Sequence, residues 1–201
     1  TGGTGKTPHV EYLIRLLKST MKVCTLSRGY GRMTRGFMLV NSPATTAMIG
    51  DEPMQYHSKY KDIQVAVGED RVSAIENILR IPSAPDVILM DDAYQHRKLK
   101  PGLSILLIEY ENVFKQNFLL PAGNLREWFS GRKRADIIII SKSPGILVPI
   151  ERKRVLEEIK PFPHQEVFFS YYSYGDFIKV SGGNGGMQMS AKYSWKKGSL
   201  Y

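Results

Sequence analysis

The first seven residues, Thr1-Gly2-Gly3-Thr4-Gly5-Lys6-Thr7, set glycines, a lysine and a hydroxyl at the spacing that grips a polyphosphate. Glycines let backbone N–H groups turn toward phosphate oxygens, and the positive end of a following helix adds to the attraction. Lys6 can reach the β- and γ-phosphates, and the Thr7 hydroxyl is suited to ligate Mg²⁺. The pattern asks for one more glycine six residues before Lys6, one position before this chain begins. Because the sequence starts within the motif and without methionine, it reads as an internal piece of a longer protein.

Two acidic motifs could complete such a site. In Val87-Ile88-Leu89-Met90-Asp91-Asp92, an apolar strand delivers two carboxylates at its C-terminal end, where ligands of open α/β sheets bind. One aspartate can hold Mg²⁺ beside Thr7, directly or through water; the plainer reading is a turn aspartate. Gly50-Asp51-Glu52-Pro53 opens a predicted helix. There Asp51 is either an N-cap, with the helix dipole favouring each acid by about 0.3–1 kcal/mol, or one acid is a base for an acceptor hydroxyl and the other supports the metal. Sequence chemistry leaves both open.

Arg126, in Leu120-Pro121-Ala122-Gly123-Asn124-Leu125-Arg126-Glu127, is either a charge-neutralising group for phosphoryl transfer or a surface ion pair worth under about 1 kcal/mol. With Arg132, Lys133 and Arg134 it surrounds Trp128 and Phe129, a composition that suits nucleic acid, a membrane surface or a solvated basic loop. His96 is expected to orient the Asp91–Asp92 turn by hydrogen bonding, and His9, His57 and His164 have no metal-site spacing. Cys24 reads as a buried, structural thiol.

The elements that must position these residues follow from periodicity. Val10, Leu13, Ile14 and Leu17 predict a helix over 8–18, with Glu11, Arg15 and Lys18 toward water. Helices are also predicted over 51–60, over 69–79 with Val72, Ile75 and Leu79 inward, and over 151–160. Strands are predicted at 23–27, 37–40, 64–67, 87–90, 104–108, 137–140 and 166–174. Apolar runs such as Ile137-Ile138-Ile139-Ile140 lack alternation, as strands covered on both faces do. The expected fold is therefore α/β, a parallel sheet of the P-loop NTPase type with helices on both faces, followed by the start of a second, incomplete module. A boundary near 143–149 divides a core over 1–145 from 146–201, where 181–186 (Ser-Gly-Gly-Asn-Gly-Gly) reads as a loop or linker.

Length and composition bound the partners. The 201 residues allow one substantial core, and 42% apolar with 23% charged residues is ordinary for a folded domain. Against 19 acidic residues stand 28 basic ones, a net charge of +9 that favours anionic partners without choosing among nucleotide, nucleic acid and acidic membrane. A single cysteine excludes an intrachain disulfide, and no stretch is long and apolar enough to cross a bilayer.

Taken in order, the motifs at 2–8, 27–32 (Ser-Arg-Gly-Tyr-Gly-Arg), 50–53, 91–97 (Asp-Asp-Ala-Tyr-Gln-His-Arg) and 120–127 resemble the tetraacyldisaccharide 4′-kinase family of Gram-negative bacteria, over residues 1 to about 130 and more weakly to about 175. The resemblance implies an enzyme of lipid A biosynthesis, transferring the ATP γ-phosphate to the 4′-hydroxyl of a tetraacylated glucosamine disaccharide 1-phosphate. It implies ATP held by residues 1–7, Mg²⁺ organised by Thr7, Glu52, Asp91 and Asp92, Asp51 as the base, and Lys6 and Arg126 as charge-stabilising groups. The implied setting is the cytoplasmic face of the inner membrane, peripheral or anchored by a hydrophobic segment preceding Thr1. Expected partners are the lipid A precursor and an anionic membrane surface, with nucleic acid disfavoured and no protein partner. Ala93 and Tyr94 replace a Gly-Phe pair found in many members. Members also continue into a C-terminal portion that supplies a histidine, so this stretch alone is expected to be a poor catalyst. The competing readings are a nucleotide-gated nucleic-acid-binding protein and a kinase of a small soluble metabolite.

Overall fold

A computed structural model describes residues 3–41, 43–96, 98–114, 129–179 and 187–197; for 129–130, 174–179 and 187–197 it describes the backbone only. The chain divides into two compact units, one of Lys6–Pro101 and one of Gly102–Tyr201 with Thr1–Gly5. The 143–149 segment, where composition suggests a boundary, lies within the second unit.

In the first unit, α1 (Lys6–Leu17) leads to β1 (Val23–Ser27), β2 (Met38–Leu39), α2 (Thr46–Ile49), α3 (Asp51–Lys59), β3 (Gln64–Val67), α4 (Arg71–Leu79) and β4 (Val87–Met90). The sheet order is β2-β3-β1-β4. β1 runs parallel to both β3 and β4, whereas the short edge strand β2 is antiparallel to β3. Because β3, β1 and β4 run the same way, Ser27, Val67 and Met90 end at one edge of the sheet.

Alternation along β1 sends its side chains to two cores. Val23 packs with Val65, with Val10 and Ile14 of α1, and with Tyr56 and Tyr60. Cys24 and Leu26 pack instead with Ala66 and with Ala74 and Ile78 of α4. Helices therefore cover both faces, which is why every residue of β1 is buried. Burial raises the Cys24 thiol to about 12, so it stays protonated and inert as expected.

Two details depart from the periodicity reading. Glu11 is buried rather than solvated: its carboxylate accepts from Gln55 (2.5 Å) and Lys59 (2.7 Å) and faces Arg15 at 3.7 Å, clamping α1 to α3. On α4 the buried stripe is Arg71, Ala74 and Ile78, and Val72 and Leu79 are exposed. Asp70 caps this helix through Val72 N–H and Ser73 N–H. A side chain at Gly68 would meet the Ala74 methyl at 3.0 Å, so the helix turns its small residue to the sheet.

The second unit holds β5 (Ile105–Glu109), α5 (Tyr110–Val113), a 3₁₀ turn (Phe129–Arg134), β6 (Ile137–Ser141), α6 (Pro149–Ile159), β7 (Glu166–Lys179) and β8 (Met187–Lys197). Its order is β5-β6-β7-β8, the first three parallel and β8 antiparallel to β7. The strand β8 is a departure too, because Met187–Lys197 carries lysines and serines rather than an apolar run. Residues 181–186 lie outside the described residues.

Gly50 joins two of the motifs. Its φ of +92° with ψ of 166° belongs to a region open essentially to glycine. A Cβ there would sit 2.9 Å from the Tyr30 carbonyl oxygen, and one on Gly29 would sit 2.9 Å from that of Ile49. The Arg28–Arg32 loop and the start of α3 thus touch backbone to backbone. Gly50→Ala should lower stability by about 1–3 kcal/mol, whereas Gly102→Ala, which meets nothing within 4 Å, should stay within about 0.5 kcal/mol; urea unfolding of both variants measures the difference.

Candidate active site

Gly3 and Gly5 adopt φ of +88° and +85°, the left-handed conformation that lets a phosphate-binding loop aim its N–H groups inward. The Thr4 carbonyl between them accepts from the buried Ser141 hydroxyl at 2.9 Å, at the end of β6. Thr1 and Gly2 lie outside the described residues. Lys6 is the first residue of α1, and its Nζ stands 3.5 Å from Asp92 Oδ1. The lysine and the paired aspartates therefore meet.

The acid pair is asymmetric. Asp91 is buried, and its N–H donates to the Leu26 carbonyl at 3.2 Å, prolonging the β1–β4 pairing. The Tyr56 hydroxyl donates to Asp91 Oδ2 at 3.0 Å. Burial raises the Asp91 carboxyl above its ordinary range, with Asp92 adding to the rise, while the Tyr56 bond and Lys6 oppose it. Magnitudes explain the sign: a hydrogen bond to a charged group contributes about 1.5–3 kcal/mol, and burying an ion costs several kcal/mol. Asp92 is more open and takes a left-handed φ of +50°, which turns the chain at the strand end.

Asp51 and Glu52 form the first turn of α3, with Gly50 as the N-cap and no side-chain capping bond. Asp51 is not the cap; it is exposed, and its carboxylate has no hydrogen-bond partner among the described residues. Glu52 keeps an exposed flank, yet crowding desolvates its carboxyl enough to raise it, with Asp91 next in effect and Lys6 opposing. The four acids and the lysine thus share one electrostatic neighbourhood in the first unit.

Sequence reasoning passed over two residues here. Tyr56 lies within α3, and nothing local in the sequence marks its hydroxyl. Arg71 is buried, donates to the Gly68 carbonyl, and feels Arg28, Asp92, Asp91 and Glu69; burial and then Arg28 lower its basicity. The run Gly68-Glu69-Asp70-Arg71 directly after β3 was its one available signal. His96, by contrast, does not orient the acid turn: its side chain is exposed and makes no hydrogen bond to Asp91 or Asp92 among the described residues. Its backbone N–H instead donates to the Ala93 carbonyl. Arg126 and Trp128 lie outside the described residues, whereas Lys133 and Arg134 are exposed at the 3₁₀ turn.

The donor set fits a hard divalent cation. Thr7, Glu52, Asp91 and Asp92 offer only oxygen, and two of these carboxyls sit above their ordinary range because negative charge is crowded and partly desolvated. Among the described residues no group of three or more His, Cys, Asp or Glu forms a ready-made metal cage. Mg²⁺ asks for less, since it keeps waters and substrate phosphates and takes one or two carboxylates. Among those residues, too, no helix is long and apolar enough to cross a membrane.

Known proteins resemble this chain in sequence and fold. A family model described as tetraacyldisaccharide-1-P 4′-kinase matches residues 1–167. The tetraacyldisaccharide 4′-kinase of Flavobacterium psychrophilum is 46% identical over 179 residues, covering 88% of this chain and 52% of that protein. One from Bacteroides fragilis is 48% identical over 180 residues, covering 89% and 48%. The chain thus spans about half the length of the curated relatives it matches. A crystal structure of the "apo" form of LpxK from Aquifex aeolicus in complex with ATP is similar with a TM-score of 0.71 at 33% identity, over 89% of this chain and 53% of that one. That neighbour carries the P-loop kinase fold, and the parallel strands and helices found here agree with it. With residues 1–167 matched and close to half of the aligned positions identical to named kinases, the chain belongs to the tetraacyldisaccharide-1-P 4′-kinase family.

Proposed function

We propose that this chain forms the nucleotide-binding and phosphoryl-transferring part of a lipid kinase that moves the ATP γ-phosphate onto the 4′-hydroxyl of a tetraacylated glucosamine disaccharide 1-phosphate. The observation that carries this reading is the approach of Lys6 Nζ to Asp92 Oδ1 at 3.5 Å beside the buried Asp91. It is the meeting of lysine and acids on which P-loop phosphoryl transfer depends. Family membership favours this reading over a nucleic-acid-binding protein or a small-metabolite kinase.

On this reading Lys6 and the loop amides of residues 1–7 bind the nucleotide's phosphates and offset charge on the moving group. Thr7, Glu52, Asp91 and Asp92 are the residues that would hold Mg²⁺, which when bound would neutralise charge between the β- and γ-phosphates. Asp51, exposed and without a hydrogen-bond partner among the described residues, takes the proton from the acceptor hydroxyl. Its place beside Glu52 at the start of α3 supports that role, because it puts the charge of Asp51 within reach of the acid cluster. Arg126 keeps its proposed part in stabilising the transferring group.

The proposed setting is the cytoplasmic face of the bacterial inner membrane. Net charge of +9 supports attraction to anionic lipid. So does the 28–36 loop, where Tyr30 and Met33 are 89% and 83% exposed alongside the exposed Arg28 and Arg35. Aromatic and apolar tips among cations suit an interface of acyl chains and phosphates.

Transfer of labelled phosphate from ATP to the disaccharide lipid, measured with the intact protein, tests the whole assignment. Lys6→Ala should reduce that transfer on the order of 10²–10³-fold, the scale seen when one preorganised charge-stabilising group is lost; unchanged turnover would remove the loop from the chemistry. Asp51→Asn should lower kcat while leaving ATP affinity intact, and an effect on KM alone would reassign Asp51 to binding. Glu52→Gln should slow transfer yet raise the thermal midpoint at pH 7. A carboxyl raised by the fold favours the folded state only while protonated, and that contribution is lost as pH rises through its folded value. The gap in midpoint between Glu52→Gln and the parent should therefore close as pH falls toward the ordinary glutamate value of about 4.3.

A further inference from the structure

Tyr56 is a fully buried tyrosine whose polar end is aimed at the acid pair rather than at water. Its ring belongs to the core shared by Val10 and Ile14 of α1, Val23 of β1 and Val65 of β3, with Val87 and Leu89 of β4 packed against it. A ring held on all sides has no freedom to swing its hydroxyl, so the 3.0 Å bond to Asp91 Oδ2 is fixed by packing. Thr7, next to Lys6 at the start of α1, is among the groups that act on the same phenol. The phenol has one O–H to give, and Asp91 Oδ2 receives it.

One hydroxyl therefore ties the strand-end aspartate to the helix that begins with Asp51 and Glu52. We propose that Tyr56 is a positioning residue, whose hydroxyl occupies Asp91 Oδ2 and so fixes the rotation at which Oδ1 is presented for cation binding. This rests on the assignment of Asp91 and Thr7 to a divalent cation in the proposed function. Without the bond, the carboxylate gains rotational freedom and either oxygen is free to turn away. The effect is separate from packing, because phenylalanine keeps the ring and loses only the donor.

The test uses the intact protein, with Mn²⁺ as the probe and a non-hydrolysable ATP analogue, followed by electron paramagnetic resonance and by nucleotide binding. Tyr56→Phe should weaken Mn²⁺ binding on the order of tenfold, the lower end for loss of a ligand's supporting partner, with affinity for the metal-free analogue unchanged. Tyr56→Met, which also lacks the hydroxyl, should show the same loss, so the result does not hang on one variant folding. In an Asp91→Asn background the Tyr56→Phe effect should vanish, as expected if the two act through one bond. Undiminished Mn²⁺ affinity in a folded Tyr56→Phe protein, or an equal loss in the Asp91→Asn background, overturns the positioning role while leaving the kinase assignment standing. If the parent protein binds neither analogue nor Mn²⁺, both readings fall together.

Discussion

An ionised carboxylate cannot be buried at the end of a strand without groups that replace its water, and Asp91 sets that demand for the first unit. Lys6, Tyr56 and the turn at Asp92 answer it together. They answer it incompletely, since the carboxyl still sits above its ordinary range. Residual unfavourable charge of this kind is a cost to the fold, and it is what the proposed cation would offset. The same holds for Glu52, whose neighbours are mostly acids.

Holding that arrangement in place falls to apolar packing and to one buried polar clamp. Val10, Ile14 and Tyr56 tie α1 and α3 to the same face of the sheet, so the helix that starts with Lys6 and the helix that starts with Asp51 share a foundation. Glu11 strengthens the tie through Gln55 and Lys59. Two glycines let the Arg28–Arg32 loop and the start of α3 approach within backbone contact. Arg32, whose side chain is buried, fastens that loop further by donating to the Gly36 carbonyl and to Glu69. Few of these contacts are chemical participants, yet each limits how far a participant can drift.

Much of the fold was legible because it rests on local rules. Apolar spacing marked α1, unalternated runs marked the covered strands, and glycines marked the turns before Lys6 and Asp51. What failed failed for physical reasons. Glu11 reads as a surface residue because nothing near it in sequence announces Gln55 and Lys59, more than forty positions away. The α4 face was misjudged because Ala74, too small to weigh in periodicity, is the residue that lies against Gly68. β8 escaped notice because its pairing with β7 comes from the backbone, which every sequence has.

By itself the sequence determined which chemical groups exist and their order: a glycine loop ending in lysine and threonine, two acids opening a helix, two acids closing a strand. Those assignments depend on residue type and short spacing, and the motif order alone carried the family resemblance. Only the tertiary structure decided that Asp51 stands free of a capping role, that His96 turns away, and that a core tyrosine reaches Asp91. Such facts depend on which distant side chains share a volume, and burial and electrostatic neighbourhood are properties of that shared volume rather than of any stretch of chain.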